Sequence, residues 1–320
     1  LSLLHIDLSA KVLGIAMMAE IVLIGVWIVA VLIQGGDAGL PAHPFTFEAF
    51  SSGSVPFGLL FAVLSVTGFE AVAVFREEAR NPNRTVPRAT YAAVVFLCGL
   101  YAVVAYVFIA GLGLDDVIAG ASTDPVGTFI ATMERYVGSA AVTVVSFLLV
   151  SSSIAAQLAT QNIVARYIYV LGRDRVLPAR FAVVHAKHGS PYRAAALCAG
   201  IVFVFFAGPA LAGADPVKSV AVLGGLGAVW LLSLMTVTSV AVIRFFRREP
   251  QHAANIWQRL IAPVLSFLGL AGVLVLAVGN ADAIVGGSEL QGAMAMLAVA
   301  AVMVAGAVYA RRLKARLPDA

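Results

Sequence analysis

Two carboxylates lie inside stretches that are otherwise almost entirely apolar. Glu20 stands in a run from about residue 11 to 33, and Glu70 stands well inside a second run from about 56 to 76. Ionisable side chains at membrane depth are costly, and they commonly mark ion pathways or proton relays. Both residues are therefore candidate proton-coupling or gating groups. The alternative for Glu20 is that it extends toward the lipid headgroups or pairs with Lys11.

The residues just before the second carboxylate are poor helix formers. Val66 and Thr67 are β-branched, and Gly68 follows them directly. Such a sequence weakens a helix locally. A break here would free backbone carbonyls and amides to bind substrate, as in discontinuous transporter helices. We therefore predict non-helical backbone from about residue 66 to 69, with a substrate site formed by Ser65, Thr67, Gly68 and Phe69. The alternative is an unbroken helix in which the glycine only permits close packing.

A stripe of polar residues runs through the fourth apolar stretch. Ser151, Ser152 and Ser153 are followed by amide and hydroxyl side chains at 157 and 160–162. Hydroxyls commonly join helices within membranes. A stripe at helical spacing can also face an aqueous path, so Ser151 and Ser152 are candidate ligands of a coupling cation. No spacing typical of a resident metal, a phosphate-binding glycine loop or a nucleophile elbow is present, which argues against an enzyme or a self-contained ATP motor.

These residues lie in a chain with eight apolar stretches, each long enough to cross a bilayer. The chain is 61% hydrophobic and only 12% charged. A membrane-spanning helix needs about 20 apolar residues. The eight stretches cover roughly 11–33, 56–76, 89–112, 138–168, 194–213, 217–243, 260–280 and 290–310. The sequence thus predicts an all-α polytopic membrane protein, whose fourth helix is too long for one crossing.

The segments between these stretches give further expectations. Asn81 and Pro82 predict the end of the second helix, Thr85 an N-cap for the third, and Pro87 a position in its first turn. The acidic residues between the third and fourth stretches are expected in a solvated loop; these are Asp115, Asp116 and Asp124.

Positive charge alternates along the chain. Nineteen of the 21 Lys and Arg residues follow the second, fourth, sixth or eighth stretch, or precede the first. Only Arg135 and Lys218 fall on the other side. Basic loops stay in the cytoplasm, so both ends of this chain are expected to face the cytoplasm. The positive charge therefore indicates membrane orientation and does not predict nucleic-acid binding. The expected partners are the lipid bilayer and a small substrate.

Two blocks of sequence carry a family resemblance. The first is TGFE at 67–70 with EEARNPNRTVPRA at 77–89, and the second is NIVARYIYVLGRDRVLP at 162–178. Together they resemble the amino acid–polyamine–organocation permeases. In the second block, Arg175 stands where that family usually has glycine.

The resemblance implies a leucine-transporter-like fold of twelve helices, in which helices one to five and six to ten are inverted repeats. This chain would form a single transmembrane permease domain over 1–320 that begins at the fifth helix, with the first four helices missing. Residues 56–243 would form the second repeat, and 260–312 two accessory helices.

The resemblance also implies a function. We expect secondary active transport of an amino acid across the bacterial cytoplasmic membrane by alternating access, without an organic cofactor and with proton coupling. The resemblance also places Thr67, Gly68 and Phe69 in the unwound segment whose backbone meets the substrate amino group. It places Glu70 at a proton-linked gate. Sodium is the alternative coupling ion. The alternative functions are an amine or polyamine permease, a nutrient sensor that does not transport, and a truncated product.

Overall fold

The computed structural model describes residues 6–37, 39–51, 54–74, 76, 79–185, 190–249 and 255–316. Within these ranges the structure is helical and contains no strand. The chain divides into two compact units. The first comprises Leu1–Ala49 with Gly68–Ile201, and the second comprises Phe50–Thr67 with Val202–Ala320.

Thirteen α-helices lie in the described part of the chain. They are α1 (Ile6–Gln34), α2 (Phe47–Ser51), α3 (Val55–Val66), α4 (Ala71–Val74), α5 (Pro82–Leu112), α6 (Leu114–Thr123), α7 (Pro125–Tyr136), α8 (Ser139–Arg173), α9 (Tyr192–Leu211), α10 (Pro216–Arg248), α11 (Ala262–Gly279), α12 (Ala281–Val285) and α13 (Glu289–Arg316). A short 3-10 helix, Ala179–Ala182, follows α8, and a π-helical turn, Trp257–Ile261, precedes α11.

Seven of the eight predicted membrane helices are confirmed in the described part of the chain. Among the described residues, seven helices are long and apolar enough to cross a membrane: α1, α5, α8, α9, α10, α13 and the segment Trp257–Gly279. A shorter apolar segment, Gly58–Val74, corresponds to the remaining predicted stretch and contains α3 and α4. At 35 residues, α8 is longer than one crossing requires, as predicted.

The start of α5 differs from the prediction. Asn81, not Thr85, is the N-cap, and Pro82 occupies the first turn. The backbone carbonyl of Asn81 already accepts a hydrogen bond from the Thr85 amide at 2.9 Å, so helical bonding begins a turn earlier than expected. Proline fits that first turn because its missing N–H would be unpaired there in any case. Pro87 therefore lies inside the helix rather than at its start.

The acidic segment between α5 and α8 was predicted as a loop, and it instead forms α6 and α7. Asp115 and Asp116 are exposed in the first turn of α6. Asp124 caps α7, because its Oδ1 accepts a hydrogen bond from the Gly127 amide at 2.9 Å. Both helices are too short to resemble a membrane span, so the search for long apolar stretches missed them.

Each unit has its own apolar core. In the first unit, Trp27 is fully buried against the rings of Phe108 and Phe129 and packs with residues of α5, α7 and α8. In the second unit, Leu60 of α3 is 2% exposed and packs against buried residues of α10, α11, α12 and α13. The second core therefore fixes the helix that leads into the predicted break.

Candidate functional site

The apolar segment containing Glu70 is a broken helix. The first half, α3, ends at Val66, a turn covers residues 67–70, and α4 begins at Ala71. Gly68 has a φ of +106°, a conformation that side chains with a Cβ rarely adopt. The predicted break at this glycine is confirmed.

The break leaves backbone carbonyls open at the end of α3. The Thr67 amide turns back to the Leu64 carbonyl at 3.1 Å, so the regular i to i+4 pattern stops there. No described amide donates to the carbonyls of Ser65, Val66 or Thr67. These three oxygens stand at the C-terminal end of a helix, where the helix dipole adds partial negative charge. The end of α3 can therefore accept hydrogen bonds from a cationic donor.

The two hydroxyls near the break are already used within their own helix. Ser65 Oγ donates to the Ala62 carbonyl at 2.9 Å, and Thr67 Oγ1 donates to the Leu64 carbonyl at 2.6 Å. Their side chains thus support the end of α3. Of the predicted substrate residues, Ser65 and Thr67 offer open carbonyls rather than free hydroxyl protons, and Val66 is an acceptor that the prediction had omitted.

The other two predicted substrate residues use their carbonyls to start α4. The Gly68 carbonyl accepts from the Ala71 amide at 3.0 Å, and the Phe69 carbonyl accepts from the Val72 amide at 3.3 Å. Gly68 therefore contributes its unusual backbone angle rather than an open acceptor. The half-buried Phe69 contributes apolar surface.

Glu70 lies within hydrogen-bonding distance of the broken backbone. Its Oε2 accepts a hydrogen bond from the Gly68 amide at 2.8 Å. That amide would otherwise have been left unpaired by the break, and a carboxylate is a stronger acceptor for it than a neutral group. The side chain is half-buried. The carboxylate is thus a protonatable group bonded directly to the glycine that defines the break.

Glu20 has a different environment on α1. Its Oε1 is buried and has no hydrogen-bond partner. No hydrogen bond or ion pair joins it to Glu70 within the described residues. The alternative pairing with Lys11 involves a side chain outside the described part of the chain. Glu20 therefore stays a separate candidate proton group.

The candidate cation ligands lie on α8. Ser151 Oγ donates to the Leu148 carbonyl at 3.0 Å, which is the helix-internal bonding typical of serine in membrane helices. Ser152 is half-buried beside it. Among the described residues, no group of three or more His, Cys, Asp or Glu side chains is arranged to hold a metal. A cation site at these serines stays a prediction.

Comparison with known proteins gives a family match along most of the chain. A family model described as amino acid permease matches residues 1–307. Cationic amino acid transporter 6, chloroplastic, of Arabidopsis thaliana is 32% identical over 196 residues, covering 58% of this chain and 32% of that protein. The methylthioribose transporter of Bacillus subtilis (strain 168) is 28% identical over 209 residues, covering 63% of this chain and 42% of that protein.

A third relative gives the same pattern of coverage. Cationic amino acid transporter 2, vacuolar, of Arabidopsis thaliana is 25% identical over 247 residues, covering 76% of this chain and 36% of that protein. The alignments thus cover well under half the length of these relatives. Since the family model matches nearly the whole chain and the described residues include seven long apolar helices, this multi-pass membrane protein belongs to the amino acid permease family.

Proposed function

We propose that the protein carries an amino acid across the bacterial cytoplasmic membrane by proton-coupled secondary active transport with alternating access. Family membership supports transport of amino acids or related compounds. The relatives named as cationic amino acid transporters support the same substrate class. Both ends of the chain face the cytoplasm in this proposal, because the basic residues follow the even-numbered stretches.

The observation that carries the proposal is the set of open carbonyls at the end of α3. Unpaired backbone groups at membrane depth are tolerated only where they face protein or an aqueous cavity. An ammonium group offers three donors and a positive charge, and it therefore complements both the carbonyls of Ser65, Val66 and Thr67 and the negative end of the helix dipole. A neutral polyol such as methylthioribose, the substrate named for one relative, would offer only hydroxyl donors.

The test uses two glycines of the same apolar segment. In Gly68 and Gly58, an added Cβ would meet no described atom within 4 Å, but only Gly68 has a positive φ. Gly68→Ala should therefore disturb the break while Gly58→Ala should not. The expected result in reconstituted liposomes is a loss of labelled amino acid uptake of about ten-fold for Gly68→Ala and near-normal uptake for Gly58→Ala.

The substrate panel should include amino acids, their decarboxylated amines and methylthioribose. Uptake of amino acids over the matched amines supports the proposed substrate class. Equal uptake of an amine would favour the amine permease instead. If Gly68→Ala transports as well as Gly58→Ala, the carbonyls at the end of α3 do not form the substrate site.

A further inference from the structure

Arg175 has an unusual backbone conformation at the end of α8. Its φ is +58°, and it is the one non-glycine residue with a positive φ in the described part of the chain. The turn around it is tightly bonded: the amides of Val176 and Leu177 both donate to the Leu171 carbonyl at 2.9 Å. Glycine is the usual residue at such a helix end. Strain of this kind often persists where the side chain has a function.

The chain beyond this turn folds back onto α8. The 3-10 helix Ala179–Ala182 packs against α8, and a Cβ added to Gly172 would lie 3.0 Å from the Ala182 amide nitrogen. Arg173, Arg175 and Arg180 therefore belong to one compact structure, which we call the arginine turn. All three side chains are exposed. The arginine turn is thus a concentrated positive surface at the end of a membrane helix.

Little negative charge opposes this surface. Asp174 is the one acidic residue between 162 and 185, and its Oδ1 lies 3.4 Å from Arg173 Nε. No described carboxylate pairs with Arg175 or Arg180. The guanidinium carbon of Arg180 lies 5.0 Å from the ring centroid of Phe181. A stacked guanidinium keeps the N–H donors at its edge available for an anion.

An exposed apolar stripe leads along α8 to the arginine turn. Val164, Tyr167 and Leu171 are spaced so that they share one helix face, and they are 37%, 49% and 39% exposed. We call these three residues the apolar stripe. Apolar side chains thus continue on the helix surface to within two residues of Arg173. The arginine turn and the apolar stripe therefore form one continuous exposed surface at the end of α8.

We propose that the arginine turn and the apolar stripe together bind an anionic phospholipid of the cytoplasmic leaflet. Arginine forks match phosphate oxygens in charge and geometry. An acyl chain of the same molecule would cover the apolar stripe, which a free phosphate ion or an acidic peptide would leave uncovered. Basic surfaces beside membrane helices on the cytoplasmic side commonly attract anionic headgroups. The assignment does not depend on transport, although the leaflet depends on the proposed orientation.

The chain offers an informative variant for testing this binding. Arg175→Gly removes one charge and places the residue best suited to the left-handed conformation at that position. The variant should therefore melt at the same temperature as the parent protein or higher. Arg180→Gln removes a second charge without altering the backbone. Arg312→Gln removes an exposed arginine from the end of α13 and serves as the control.

Lipid binding is measured by native mass spectrometry of the intact protein in detergent, titrated with phosphatidylglycerol or phosphatidylcholine. The parent protein should retain phosphatidylglycerol preferentially. Arg175→Gly and Arg180→Gln should each weaken that retention about five-fold, whereas Arg312→Gln should leave it unchanged. An equal loss in Arg312→Gln, or no loss in either variant of the turn, would overturn the proposal. Full displacement of the lipid by millimolar inorganic phosphate would instead assign the turn to free phosphate.

Discussion

The contact between Glu70 and Gly68 links a protonatable side chain to the shape of the backbone beside it. An ionised carboxylate accepts the hydrogen bond from the Gly68 amide at 2.8 Å with a full negative charge. Protonation removes that charge and weakens the bond. The stability of the turn at residues 67–70 should therefore vary with the protonation of Glu70, which gives the proposed proton coupling a local mechanism.

Replacing Glu70 by glutamine tests this mechanism. The amide oxygen of Glu70→Gln can still accept from the Gly68 amide, but the side chain cannot exchange a proton. We expect substrate binding to be preserved and the pH dependence of uptake to be abolished. The measurement is labelled amino acid uptake into liposomes across a range of external pH, with binding followed separately at equilibrium.

Glu20→Gln is the matched control, because Glu20 is the other candidate carboxylate on a membrane helix. An unchanged pH profile in Glu70→Gln together with a lost one in Glu20→Gln would place the proton group on α1. If neither variant changes the profile, the coupling ion should be tested as sodium, beginning with Ser151 and Ser152.

Residue types alone predicted the position of the break and the exposure of its backbone groups, but not which of those groups stay open. Two β-branched residues before Gly68 are enough to indicate a weak point in a helix. The sequence also predicted that freed backbone groups at Ser65, Thr67, Gly68 and Phe69 would form the site. In the structure the hydroxyls of Ser65 and Thr67 donate to carbonyls three residues earlier in their own helix. Which carbonyl is left open depends on three-dimensional bonding that no composition rule specifies.

At the scale of helices, a cluster of contacts fastens α1, α5 and α7 of the first unit. Arg135 pairs with Asp37 through two N–H donors. Gln34 Nε2 donates to the Tyr136 carbonyl at 3.0 Å, and Tyr136 Oη donates to the Gly111 carbonyl at 2.6 Å. Arg135 lies in a segment between apolar stretches that is predicted to be outside the cytoplasm, where basic residues are rare. Its pairing with Asp37 gives this arginine a structural role there.

The buried tyrosine should matter more than the ion pair in this cluster. Arg135 and Asp37 are 52% and 43% exposed, so solvent screens them and the pair should contribute at most about 1 kcal/mol. Tyr136 is only 8% exposed, and its hydroxyl serves an otherwise open helix-end carbonyl. Tyr136→Phe leaves that carbonyl unpaired and should lower stability by about 1–3 kcal/mol.

The free energy of unfolding in detergent is measured for Tyr136→Phe and for a double-mutant cycle of Asp37→Asn and Arg135→Gln. If the coupling energy from the cycle exceeds the loss of stability in Tyr136→Phe, the ion pair contributes more than the tyrosine hydrogen bond. Raising the salt concentration provides a second check, because it should weaken the ion pair and leave the tyrosine bond unchanged.

Helices were predictable from sequence where hydrophobicity alone determined them. The long apolar stretches appear as helices because lipid leaves the backbone no alternative hydrogen-bond partner. By contrast, α6 and α7 depend on local capping, such as that of Asp124, and on packing of Met133 and Tyr136 into the first core. The early start of α5 likewise depends on one backbone hydrogen bond to Asn81. Such features are invisible to a search for long apolar stretches.

At the scale of the whole molecule, the proposed orientation depends on the distribution of charge along the sequence. It requires eight crossings; the described residues contain seven helices that are long and apolar enough, and the broken segment Gly58–Val74 would supply the other. Arg135, the exception within α7, has an acidic partner that offsets its charge. The arginine turn at the end of α8 falls on the proposed cytoplasmic side, as a binding site for lipids of that leaflet requires.

Cysteine reporters test this orientation directly. The background needs Cys98→Ser, because Cys98 is exposed, whereas Cys198 is buried. Reporters are placed at Thr123, the last residue of α6, and at Asn83, in the first turn of α5, since both positions are exposed and outside the cores. In intact cells, a membrane-impermeant maleimide should label Thr123→Cys alone. Asn83→Cys should react only after the membrane is opened, because the arginines around it hold that end of α5 in the cytoplasm. Labelling of Asn83→Cys in intact cells would reverse the orientation, and the proposed lipid site would then face the outer leaflet.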